Sequence, residues 1–241
     1  MLLTLLSPDG LLSLVTLVFL EIILGIDNII FIAIICGYLP REDQKRARTI
    51  GLMLAMVFRI LLLLGISWLV HLVQPLFYIG SLGVSGRDLI LFSGGVFLIY
   101  KTIDELYEKL KGREPGHKVI KEKKLTISKA IIQIAIIDII FSFDSILTAV
   151  GLSRDLAVMI TAVVLAMIVM LLFAPYVSDF INKYPTMKIL ALVFLVAIGV
   201  LLMLEGLHIH VEKSYVYFGM GFSLLVESMN IRLRKIQHKS N

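Results

Sequence analysis

Seven long apolar runs follow one another along the chain, at roughly 11–36, 48–73, 88–106, 127–151, 155–179, 187–206 and 214–232, with shorter polar stretches between them. Each is close to the length at which about 20 helical residues span roughly 30 Å of hydrocarbon. None shows the strict apolar–polar alternation of a barrel strand, and in lipid only helices and closed barrels satisfy their own backbone. The pattern predicts an all-α membrane protein with seven transmembrane helices. The polar segment 107–126, with Gly112, Pro115 and Gly116 among lysines and glutamates, predicts a flexible cytoplasmic linker. Its lysines also suit contact with anionic headgroups.

That linker separates two units of three helices, residues 1–106 and 127–206, leaving 207–241 as a seventh helix with a basic cytoplasmic tail. Each unit opens with the same polar pattern inside an apolar run. Glu21 to Asn28 reads Glu-Ile-Ile-Leu-Gly-Ile-Asp-Asn, and Asp138 to Ser145 reads Asp-Ile-Ile-Phe-Ser-Phe-Asp-Ser. The first and fourth helices run in opposite directions, so matched motifs on them predict an inverted-topology repeat. In transporters built that way the substrate sits near the midplane, where the repeats meet.

Composition agrees: 59% of the 241 residues are hydrophobic and only 17% are charged, and the mean hydropathy is +0.95. Soluble domains carry about 25% charged residues. The net charge of +5 lies between apolar runs, in the places of topology signals, and does not imply a nucleic-acid partner. Arg41, Lys45, Arg46 and Arg48 follow the first run, and seven basic residues from Lys109 to Lys124 follow the third. Lys183 and Lys188 flank the fifth turn, and Arg232, Arg234, Lys235 and Lys239 close the chain. The alternate connections carry Arg87, Arg154 and Lys213 alone. The positive-inside rule then places the N-terminus outside and the C-terminus in the cytoplasm of a cell, or inner, membrane. No basic residue precedes Arg41, so the first run reads as a permanent helix and not a cleaved signal. The single cysteine, Cys36, excludes an internal disulfide and a thiolate cluster.

A carboxylate within a membrane span costs several kcal/mol or more and ordinarily lines a cavity or ion path. Six positions separate Glu21 from Asp27 and Asp138 from Asp144, which places each pair about 120° apart and about 9 Å apart along an unbroken helix. One pair cannot then chelate one small ion. Either the helices loosen near Gly25 and Ser142, or acids from the two repeats converge. Asp27 and Asp144, beside Asn28 and Ser145, are the preferred convergent pair, with Glu21 and Asp138 completing the metal set. Oxygen donors of this kind suit magnesium, manganese or calcium, and ligand type alone does not choose among them. Protonating the carboxylates would release the ion, which gives protons a place as coupling ion.

The plainer alternative is an ion-pair network, for which Arg59 and Lys101 supply the bases. Five deep acids, counting Glu227 with its neighbour Asn230 in the seventh run, outnumber those two bases. Arg59 reads as a residue that holds an acid or replaces the ion in the empty state. Lys101 reads as one that snorkels to the cytoplasmic face. Glu227 and Asn230 are supporting or gating candidates. His208 and His210 read as loop, His71 and Trp68 as interfacial, the ten methionines as gap fillers, and Gly94 and Gly95 as close helix packing. No nucleophile-and-base set, phosphate loop or cofactor motif stands out, so nothing reads as an enzyme.

Leu20-Glu-Ile-Ile-Leu-Gly-Ile-Asp-Asn28, Phe141-Ser-Phe-Asp-Ser-Ile146, Gly94-Gly-Val-Phe-Leu-Ile-Tyr-Lys101 and Tyr217-Phe-Gly-Met-Gly-Phe-Ser-Leu-Leu-Val-Glu227, with Asn230 a turn later, together resemble the TerC family of integral membrane proteins. Asp138 departs from the pattern only in standing where the first copy has Glu21. The resemblance extends over nearly the whole chain. It implies the LysE-type transporter superfamily, seven helices and efflux of manganese, with exchange for protons as one coupling. It points to Asp27, Asn28, Asp144 and Ser145, supported by Glu21, Asp138 and Glu227. The rival expectations are a calcium or magnesium transporter using the same ligands and a non-transporting assembly or metal-delivery partner. The sequence leaves the oligomeric state open.

Overall fold

The computed structural model describes residues 7–65, 72–80, 82–111, 125–153 and 155–237. Trp68, His71 and residues 112–124 of the expected linker lie outside the described residues. Among those described, seven helices of 22 to 30 residues carry the fold: α1 (Pro8–Gly37), α2 (Arg41–Leu64), α3 (Gly86–Leu110), α4 (Ile127–Leu152), α5 (Leu156–Lys183), α6 (Pro185–Gly206) and α7 (Lys213–Gln237). Four of them, α1, α2, α5 and α6, are long and apolar enough to cross a membrane by length and composition.

Local chemistry sets the ends. Ser7 Oγ accepts from the Gly10 amide at 3.1 Å, Pro8 opens the first turn and Asp9 faces the positive end of the helix dipole. The basic stretch expected to be a connection forms the first turns of α2, which begins at Arg41 rather than near residue 48. Arg41, Lys45 and Arg46 are good helix formers, so polarity there does not end the helix.

An all-helical chain is the expectation, and between α2 and α3 it fails locally. Strand β1 (Pro75–Ile79) pairs antiparallel with β2 (Leu82–Ser85). Leu76, Phe77, Tyr78 and Ile79 favour extended backbone, and Gly80 takes the positive φ of 63° that a tight reversal needs. The expected spans end at 73 and resume at 88, so these residues fell in a connection to which no element was assigned. The hairpin leads into a capping box on α3: Asp88 Oδ2 accepts from the Ser85 amide at 2.8 Å and from its hydroxyl at 2.6 Å, while Ser85 Oγ accepts from the Asp88 amide at 3.2 Å.

The chain divides into two compact units. The first, Met1–Ile90 with Lys118–Asp179, holds α1, α2, the hairpin, α4 and most of α5. Gly51 of α2 lets Ile134 of α4 come so close that a Cβ there would lie 3.0 Å from its Cδ1. The second, Leu91–His117 with Phe180–Asn241, holds most of α3, with α6 and α7. Here Gly95 faces Gly199, and a Cβ on Gly95 would lie 2.5 Å from the Gly199 carbonyl oxygen. That is the close packing the Gly94–Gly95 pair predicts. α6 ends where His208 adopts φ 62°, the left-handed conformation that terminates many helices.

Large apolar side chains cover much of the exterior, while ionisable groups within the apolar runs are buried. Leu12, Phe19, Leu172, Tyr176 and Phe218 are 63% or more exposed, whereas Glu21, Asp27, Asn28, Arg59, Asp138, Ser142 and Ser145 are all buried. Ionisable groups withdrawn from an apolar exterior are what hydrocarbon as solvent demands.

Candidate functional site

Both acid motifs lie on unbroken helix: α1 runs straight through Gly25 and α4 through Ser142. The loosened-helix option is therefore not taken, and acids do meet between helices, although the preferred pair, Asp27 with Asp144, lies partly outside the described residues. The pair brought together is Glu21 with Asp138, and Arg59 of α2 joins them. Arg59 Nη1 donates to Glu21 Oε2 at 2.5 Å and Nη2 to Asp138 Oδ1 at 2.9 Å. Its Nε donates to both Asp138 oxygens, at 3.3 and 3.2 Å. One guanidinium thus ties three helices, in the planar fork geometry that lysine cannot reproduce.

Asp138 has further partners. Asn28 Nδ2 of α1 donates to Oδ1 at 2.9 Å, and Ser142 Oγ, one turn along α4, donates to Oδ2 at 3.0 Å. Ser145 sits buried with its hydroxyl donating to the Ser142 carbonyl at 3.3 Å. Asn28 is used on one side only: its Oδ1 is buried and makes no hydrogen bond. A buried carbonyl oxygen left unmade costs about 1–3 kcal/mol, and it is a ready donor to a cation.

The charge balance favours cations. Two buried acids from α1 and α4, Glu21 and Asp138, share the one guanidinium of Arg59, and Asp27 is buried on α1 as well. When Glu21, Asp138 and Arg59 are ionised, two negative charges meet one positive. The side chain of Asp144 lies outside the described residues, although its backbone is part of α4. Among the described residues, no group of three or more His, Cys, Asp or Glu side chains is arranged to hold a metal ion. Glu21 and Asp138 are held instead by Arg59, and Asp138 also by Asn28 and Ser142.

The remaining candidates belong to the second unit. Lys101 pairs with Glu105 on its own helix at 3.1 Å. Glu227 lies beside a cleft of about 390 Å³ lined by Thr186, Leu190, Phe222, Ser223 and Val226 of α6 and α7. Its Oε2 accepts from Asn230 at 3.4 Å, and its Oε1 is buried without a hydrogen bond. Sequence reasoning named Arg59 but gave Ser142 no role as a hydrogen-bond partner. The available signal was its spacing, since a serine four residues after an acid on a helix lies on the acid's own face.

The sequence matches the integral membrane protein TerC family over residues 6–241. It is 48% identical over 230 residues to a UPF0053 protein of Haemophilus influenzae, covering 95% of this chain and 97% of that one. It is 47% identical over 235 residues to the UPF0053 inner membrane protein YgdQ of Escherichia coli, covering 98% and 96%. The longer UPF0053 inner membrane protein YoaE of the same organism is 43% identical over 240 residues, which span 98% of this chain and 46% of that protein. No solved structure matches the chain at a significant level.

Proposed function

Since the chain belongs to the TerC family of integral membrane proteins, we propose that it is a multi-pass inner-membrane transporter that exports manganese(II) from the cytoplasm in exchange for protons. The observation that carries this reading is the buried excess of carboxylate at one guanidinium: Glu21 and Asp138 share Arg59, with Asn28 Oδ1 idle beside them. A purely structural network would be expected to neutralise itself, because an uncompensated buried charge is costly. A transport site must hold surplus negative charge for part of its cycle. The close relative YgdQ is described as an inner membrane protein, which supports the location.

Arg59 then acts as a tethered counter-charge. With no cargo, the guanidinium satisfies Glu21 and Asp138. A divalent ion entering beside Asp27, Asn28 and Asp144 draws those carboxylates away from it, and protons returning to the acids restore the starting arrangement. The seven-span topology, with the N-terminus outside and the C-terminus in the cytoplasm, belongs to the same proposal. The inverted repeat does too, and the composition of the units supports it. The first unit takes the first two helices of each half (α1 and α2, α4 and α5). The second takes the third of each (α3 and α6), packed through Gly95 and Gly199.

The full hydrogen bonding of Asp138 supports a second reading, in which the tie is structural and the chain is an assembly or metal-delivery partner. Manganese uptake into inside-out proteoliposomes, with and without an imposed proton gradient, separates the two. Gradient-stimulated uptake that is lost in Asp27→Asn and Asp144→Asn, with calcium and magnesium as competitors, is the expected result. Correctly folded protein that moves no ion would transfer the argument to the assembly reading.

A further inference from the structure

Glu21, Gly25 and Asn28 stand at i, i+4 and i+7 on α1 and so share one face. Glu21 and Asn28 on that face reach Arg59 and Asp138, which makes it the face turned to the candidate site. Gly25 leaves a gap between them, and Met170 of α5 fills it. Met170 is 1% exposed, and its thioether lies so close that a Cβ on Gly25 would collide with Sδ and come within 3.1 Å of Cε. A soft, polarisable sulfur is thus placed on the same stripe as two oxygen-bearing side chains, one of which, Asn28, has an idle buried oxygen.

We propose that Met170 is a specificity-determining residue, whose thioether biases this site toward transition-metal ions and against calcium and magnesium. The inference rests on the cation-transport reading and supplies what the oxygen ligands leave undecided. Calcium and magnesium are hard ions served by oxygen alone and gain little from a thioether. Manganese is itself an oxygen-preferring ion, but affinity for softer donors rises along the first row after it, and cadmium, softer still, gains most. A leucine would fill the gap between helices equally well, so gap filling by itself does not require sulfur at this point.

The test uses purified full-length protein with Mn²⁺, Cd²⁺, Ca²⁺ and Mg²⁺ as probes. It reads thermal stabilisation by each ion first and competition against manganese uptake second. In Met170→Leu the Cd²⁺ concentration giving half-maximal stabilisation is expected to rise about tenfold while that for Ca²⁺ is unchanged, a selectivity change worth about 1.4 kcal/mol. Met170→Cys, which keeps a sulfur, is expected to retain the Cd²⁺ preference and guards against misfolding of the leucine variant. An unchanged Cd²⁺-to-Ca²⁺ ratio in folded Met170→Leu overturns the proposal, as does a wild-type protein stabilised by none of the four ions. Ion binding with the expected selectivity but without uptake would instead sink the transport reading and leave the assignment of Met170 standing.

Discussion

Replacing Arg59 by methionine keeps a long side chain between the helices and removes the charge. Glu21 and Asp138 would then face each other, both buried, with only Asn28 and Ser142 still donating to Asp138. Breaking a buried pair by removing one partner costs about 3–5 kcal/mol, because the other charge is left uncompensated. For a chain of this length that corresponds to a fall in melting temperature of roughly 10 °C. The triple variant Arg59→Met, Glu21→Gln, Asp138→Asn should regain most of the loss, since a neutral set leaves no buried charge. Manganese should also stabilise Arg59→Met more than it stabilises the native protein, because the carboxylates no longer have a competing cation. Melting curves of the detergent-purified proteins, with and without manganese, measure all three. An Arg59→Met protein as stable as the native one would refute the account of Arg59. So would a triple variant whose loss equals the sum of its single changes.

Further consequences follow from the packing and the hydrogen bonds. Gly95→Ala should destabilise by about 1–3 kcal/mol, because the added methyl meets the Gly199 carbonyl and the Met203 backbone nitrogen, which cannot move aside. Gly25→Ala should cost less, since its methyl meets only the far end of the Met170 side chain; thermal unfolding of the two variants side by side gives the order. Ser142→Ala removes one donor to Asp138 and should cost about 1 kcal/mol in the same assay. Ser85→Ala deletes the capping box of α3 and should lower stability by a similar ~1 kcal/mol.

What the sequence made legible divides along a physical line. Six of the seven expected spans begin within about three residues of the helices found, because long apolar runs and charged connections are the strongest periodic signals in a chain. The hairpin was not legible, because Pro75 to Ser85 is uncharged and apolar, and its fold depends on the positive φ of Gly80, which composition does not reveal. At the site, the acids were legible as acids and Arg59 as the base to meet them, since ionisable groups inside apolar runs announce themselves. Which acids meet was not. Residues 21 and 138 lie on different helices, and their separation depends on how α1, α2 and α4 pack. That packing is set by contacts as small as Gly51 against Ile134.

The same distinction explains why an arginine, and not a lysine, occupies position 59. Glu21 and Asp138 approach from two helices, and Asp138 is engaged by both Nε and Nη2 while Nη1 reaches Glu21. A lysine ammonium is a point charge with no such fork and could not hold both carboxylates in this geometry. Lysine would nevertheless carry the same charge, so the charge balance of the site would be intact while its geometry was lost. Arg59→Lys therefore separates the two contributions. If the guanidinium works only by charge, the lysine variant keeps both stability and manganese response. If the fork matters, stability falls toward that of Arg59→Met although the net charge is unchanged, and the structure argues for the second outcome.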